Sequence, residues 1–216
     1  MLNVVGPFRP DWSDMSPFVV HFTSKSGWGN AETIAAHNLQ TILKKRQIEA
    51  RNAHGAGRQH PASPKVACFS EIPVHQLSRL AERYGEHGLG FHKKLMVEKD
   101  GGPVLYAYKG TPHAVAIQEA VDFAKDDPSH PIWKIAPFVA SPGHYGDTKY
   151  FFEWEREWRV PGDFDFSFPD VAFLIVPEAE HADASKWLRT EIADHEFRLV
   201  DPRWGRDRGR IALPRS

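Results

Sequence analysis

The residues best suited to do chemistry in this chain crowd into Tyr150–Val160, which reads Tyr-Phe-Phe-Glu-Trp-Glu-Arg-Glu-Trp-Arg-Val. In an extended chain, side chains alternate between two faces. Glu153, Glu155, Glu157 and Arg159 then share one face, and Phe152, Trp154, Arg156, Trp158 and Val160 the other. The period of two and the aromatic content predict a strand. Three carboxylates in file repel one another unless water, a cation or a polar ligand lies against them. Two readings compete. In one, the acidic face is solvated and Trp158 anchors the core behind it. In the other, Glu157 or Glu155 is a catalytic carboxylate tuned by its neighbours.

Other polar groups are candidates too. His21-Phe22-Thr23 closes a buried strand and precedes a Gly-bearing loop, so His21 and Thr23 could meet the hydroxyls of a sugar. The plainer account is a histidine bonded to backbone at a strand end. Cys68-Phe69-Ser70-Glu71-Ile72-Pro73 sets Ser70 and Glu71 at the end of another buried strand, where they suit a helix cap. Cys68 lies among Val66, Ala67 and Phe69 and reads as a small buried side chain rather than a nucleophile. There are 12 histidines, but none has metal-ligand spacing, so no metal is expected. Neither a phosphate-binding P-loop nor a dinucleotide glycine fingerprint is present.

These groups need elements to hold them. Apolar runs predict strands at 18–23, 66–70, 89–97, 103–108, 171–176 and 197–200, with a brief one near Ile48. Helical spacing predicts helices over 31–46, 73–84, 114–125 and 182–192. Residues 51–64 have no apolar period and read as a mobile loop. Helices and short strands intersperse without a doubly wound signature. The expectation is one α+β domain over residues 1–216, with peripheral arms at 1–17 and 203–216.

Composition narrows the class. The chain has 27 Lys and Arg against 28 Asp and Glu, a net charge of -1, which gives no global attraction to nucleic acid or membrane. A single cysteine excludes an internal disulfide and fits a reducing compartment. With no apolar run of membrane-spanning length, a cytoplasmic protein is expected.

In order along the chain, Val20-His-Phe-Thr, Ile42-Leu43, Ile48, Cys68-Phe-Ser-Glu-Ile-Pro, Tyr84-Gly, Gly88-Leu-Gly-Phe, Pro103-Val-Leu-Tyr and Glu155-x-Glu-Trp-Arg resemble the AbiGi-like abortive-infection family over roughly residues 18–177. That resemblance implies phage defence, an antitoxin label and a cognate toxin or antitoxin partner.

More distantly, the chain resembles ADP-ribosyltransferases of the DarT type. This second likeness implies a split, twisted mixed sheet with flanking helices and NAD as substrate. It would make Glu157 the catalytic acid, with Glu155 orienting an acceptor or acting as a general base, and it leaves open whether that acceptor is a protein, a nucleic acid or a small molecule. His21, Phe22 and Thr23 would hold NAD, with Lys25 or Arg159 at its pyrophosphate. Ser70, Tyr84 and Phe91 are the candidates for the family's central motif. From it we expect an NAD-dependent ADP-ribosyltransferase. The alternatives are a non-enzymatic antitoxin or partner-binding module, and an RNA 2'-phosphotransferase-like enzyme, in which Phe22 stands where glycine is usual.

Overall fold

The computed structural model describes residues 15–23, 31–58, 60–192 and 195–205. Lys25 and most of the two arms lie outside the described residues. In chain order the elements are β1 (Phe18–Phe22), α1 (Ala31–Lys45), β2 (Gln47–Ile48), β3 (Val66–Ser70), α2 (Leu77–Tyr84), β4 (Gly88–His92) and α3 (Lys93–Glu98). Then follow β5 (Gly102–Pro103), β6 (Leu105–Tyr106), α4 (Pro112–Phe123), α5 (Ile132–Ile135), β7 (Val139–Ala140), β8 (Gly143–Tyr145) and β9 (Thr148–Tyr150). The chain continues through β10 (Glu157–Pro161), β11 (Phe164–Asp165), β12 (Val171–Ile175), α6 (His181–Glu191) and β13 (Leu199–Val200). The fold is α+β, as the residue patterns predict, and it has a mixed sheet with flanking helices. It divides into two compact units, one of residues 1–47, 69–95 and 165–216, the other of 48–68 and 96–164.

In the first unit the strand order is β13-β12-β4-β1-β3. β1 runs antiparallel to β4 and β3, β4 antiparallel to β12, and β12 parallel to β13. Parallel neighbours need a crossover, and α6 supplies it between β12 and β13. Phenylalanines fill this core: Phe18 meets Phe173 edge-on at 5.4 Å, and Phe91 meets Phe69 at 5.9 Å and Phe166 at 5.3 Å. Gly90 makes room for one of these rings, since a Cβ there would lie 2.3 Å from Phe173. Helix α1 buries Ala35, Leu39 and Leu43, each four residues apart, which is one helical face. Helix α2 buries Leu77, Leu80 and Ala81 in the same manner. The predicted strand 89–97 is corrected: it ends at His92, and Lys93–Glu98 is helical. The reversal is pinned by the Lys93 amide donating to the Pro17 carbonyl and by a Lys93–Glu71 ion pair of 2.9 Å.

In the second unit the order is β3-β10-β5, with β10 antiparallel to β5. A separate cluster of Ala56, Val121, Ala124, Trp133 and Ala136 forms its own core. Loop 51–64 contributes to it. His60 stacks on Trp133 at 4.1 Å and 8°, and the loop joins strand pairing at the Arg51–Val66 bridge.

The continuous acidic strand is not found. Tyr150 ends β9, Glu153–Glu155 form a 3-10 turn, and Arg156 adopts a left-handed φ of 49° before β10 begins at Glu157. A left-handed residue breaks the two-residue alternation, so the three glutamates do not stand in file. Arg159 and Val160 are buried, while Trp158 is only half-buried. The expected faces therefore do not hold: the arginine, not the indole, takes an interior place.

Candidate functional site

Arg159 lies at the middle of β10, where its neighbours must satisfy a full charge with 1% of the residue exposed. Its guanidinium has five N–H donors, and five hydrogen bonds are present. Nε donates to Glu157 Oε1 at 3.0 Å and Nη2 to Glu157 Oε2 at 3.0 Å, a bidentate clamp between residues on the same face of one strand. Nη1 donates to the carbonyls of Pro137 at 2.6 Å and Val139 at 3.4 Å, and Nη2 also donates to His54 O at 3.0 Å. The Glu157 backbone is held as firmly. Its amide donates to the Tyr106 hydroxyl at 2.7 Å, and its carbonyl accepts from the Val104 amide at 2.9 Å.

The surrounding groups titrate abnormally for reasons visible in this arrangement. Burial opposes the charge on Arg159, but the Glu157 carboxylate outweighs it and raises the guanidinium further. Burial, reinforced by Glu157, pushes the Cys68 thiol up, so it stays protonated and unreactive. Tyr106 and Tyr150 are both pushed up to about 12, chiefly by burial, with the Glu157 charge adding to each. His54, whose ring lies 5.2 Å from that of Tyr150, is lowered by burial and then by Arg58 and Arg159. Phenols, thiol and imidazole therefore stay neutral around one paired arginine and glutamate. That arrangement can knit three chain segments together; it presents no activated nucleophile.

The sequence-predicted site residues divide between the units. Glu157 and Arg159 come together as described, and Glu155, buried on the 3-10 turn, lies near enough for its charge to help raise Tyr106 and Tyr150. His21, Phe22, Thr23, Ser70, Tyr84 and Phe91 belong to the first unit. Thr23 is buried, and its hydroxyl donates to the carbonyls of Ala35 at 2.8 Å and His87 at 3.0 Å, which ties the end of β1 to α1 and to the start of β4. Phe91 is 0% exposed within the phenylalanine core, so it offers no face to a ligand ring. The His21 ring stands edge-on to Phe69 at 5.9 Å, and Ser70 pairs across from Val20. Tyr84 is half-buried, with the Arg83 guanidinium 5.3 Å over its ring.

Sequence reasoning missed His54, Tyr106 and Tyr150 as members of the Arg159 cluster. No local signal marks His54 or Tyr106, which lie 105 residues from Arg159 and 51 from Glu157, whereas Tyr150 opens the acidic stretch itself and the expected alternation set it on the face opposite Arg159.

Comparison with known proteins bears on these assignments. Residues 40–198 match the family model of AbiGi, an abortive phage resistance protein described as an antitoxin. The match starts later than the motif resemblance suggested and leaves out His21 and Thr23, but it runs on through β12 and α6. No curated protein and no solved structure matches the chain. The expectation of an NAD-dependent ADP-ribosyltransferase is corrected by this match, since an antitoxin points to the non-enzymatic alternative. On a match covering most of its length, the chain belongs to the AbiGi family of abortive phage resistance proteins.

Proposed function

We propose that the protein is a non-enzymatic antitoxin, which holds a cognate toxin protein inactive by binding it. The match to an antitoxin family over residues 40–198 carries this reading. The geometry of the second unit supports it in two ways. Glu157 spends both oxygens on Arg159, which is architecture rather than a poised base. The same unit also presents an aromatic surface on the β8–β9 hairpin. Tyr145 is 46% and Phe151 38% exposed. Lys109 links them: its ammonium lies 4.3 Å over the Tyr145 ring and donates to His144 O, and the His144 ring meets Phe151 at 5.3 Å. Aromatic side chains with a polar tip or a cation beside them are the usual anchors of protein interfaces. The toxin contact is assigned to this hairpin.

The test uses co-expression and titration together. The wild-type chain should relieve growth arrest by its toxin and co-purify with it. Neutralisation of purified toxin should saturate at an equimolar ratio, as binding requires. Tyr145→Glu combined with Phe151→Glu should lose both effects while the chain remains folded. Inactivation of the toxin by trace amounts of this protein, without a complex, would show turnover and defeat the reading.

A further inference from the structure

We propose that the first unit carries a binding site for a small organic cation with an apolar body. This goes beyond the antitoxin reading and does not depend on it. The site is a cavity of about 570 Å³ lined by α1, α6, β12 and the residues beside them. Small-molecule pockets typically measure about 300–1,000 Å³ and are mostly apolar with a few placed polar groups. Ala36 and Gln40 of α1 and Ala184 and Trp187 of α6 present the accessible part of the lining, and the buried Leu39, Leu43 and Leu188 close it from beneath. In both helices the spacing of three and four residues sets these side chains on one face.

The lining changes character along α6. At the helix start are Glu180 and Asp183, with His87 beside them, its Nε2 2.9 Å from Glu180 Oε2. Two turns further on the lining is indole and leucine. At the helical rise per residue, the distance from Glu180 to Leu188 is about 12 Å, the length of an extended arylalkyl amine. Among the described residues no lysine or arginine lines the cavity. Lys44, 5.8 Å from the Trp187 ring, is paired with Glu191 at 3.0 Å.

The acidic end therefore attracts an ammonium or guanidinium group and repels phosphate and carboxylate. The apolar trough and the Trp187 face take the ligand body. Acids in the first turn of a helix also favour the helix dipole. That accounts for their position at the start of α6, but not for the open trough that continues from them.

The experiment holds the ligand body constant and changes its charge. Phenylbutylamine, phenylbutanol and phenylbutyrate are titrated calorimetrically into the full chain. The amine should bind roughly tenfold or more tighter than the carboxylate, with the alcohol between them. Glu180→Gln, at a side chain 48% exposed, should keep the fold and the alcohol affinity while removing most of the preference for amine. Ala184→Trp fills the trough and should weaken all three ligands, with circular dichroism reporting the fold. Equal affinity for amine and carboxylate would overturn the proposal, as would an amine preference untouched by Glu180→Gln. If none of the three binds at millimolar concentration, the trough is a seat for something larger, such as a partner's helix, and the proposal fails.

Discussion

Arg159 keeps its charge in the interior because every N–H it owns has an acceptor: two carboxylate oxygens and three carbonyls. Removing one member of such a pair costs more than the pair's net worth, since the other member is left uncompensated. Arg159→Met strands three carbonyls and Glu157, and should cost about 3–5 kcal/mol in urea unfolding. Glu157→Gln leaves one acceptor oxygen for the guanidinium and should cost less, about 1–3 kcal/mol. The double variant Arg159→Met/Glu157→Gln should be milder than the sum of the two, and simple additivity would mean that the clamp is not a coupled unit. A second residue-scale prediction concerns alkaline pH. Burial raises the Cys68 thiol above its ordinary value of 9.0. The unfolded chain then releases its thiol proton first as pH rises, and the folded state holds on to its own. Stability is full below the ordinary thiol value and falls above it, by at most about 1.4 kcal/mol per pH unit for this one group. Unfolding midpoints measured between about pH 8 and pH 11 should show this decline, and Cys68→Ala should flatten its first part. Tyr106 and Tyr150, also raised, should extend the decline above their ordinary value of 10.0.

At the scale of elements, the first unit depends on close approach between strands and rings. Gly90 on β4 lies under Phe173 of β12, and an added methyl would enter that ring at 2.3 Å. Gly90→Ala should destabilise by about 1–3 kcal/mol as an overpacked core, and Phe173→Leu should relieve part of that penalty. Stability of the double variant equal to or below the sum of the single losses would place the strain elsewhere. The elements also show where local pattern is a sound guide. Val66–Ser70 and Val171–Ile175 are short apolar runs bounded by polar residues, and both are strands. Helices α1 and α6 follow their apolar spacing to within a residue or two of the prediction. Tyr150–Val160 does not follow its pattern. A perfect alternation in sequence was interrupted by a 3-10 turn and the left-handed Arg156, because the Glu155 and Arg156 amides close turns onto the carbonyls of Phe152 and Glu153. Such a turn carries no signature in a run that lacks glycine, proline and asparagine.

At the scale of the whole molecule, neither unit is a contiguous piece of chain. The His54 carbonyl that completes the Arg159 shell comes from residues 48–68, whereas Arg159 itself lies in 96–164. An isolated 96–164 fragment should therefore fail to fold cooperatively, and adding residues 48–68 through a linker should restore a sigmoidal unfolding curve. A cooperative transition from 96–164 alone would show that the 48–68 segment is dispensable. By itself the sequence determined the α+β class, the placement of most helices and strands, and membership in a phage-resistance family through its ordered motifs. These rest on period, composition and motif order, which are properties of neighbouring residues. Only the tertiary structure decided that Arg159 is interior, that Glu157 is its clamp and that Thr23 is a tie between backbone segments. A buried charge is settled by whichever carbonyls arrive from distant segments, and those partners lie 20, 22 and 105 residues away, beyond the reach of any local pattern.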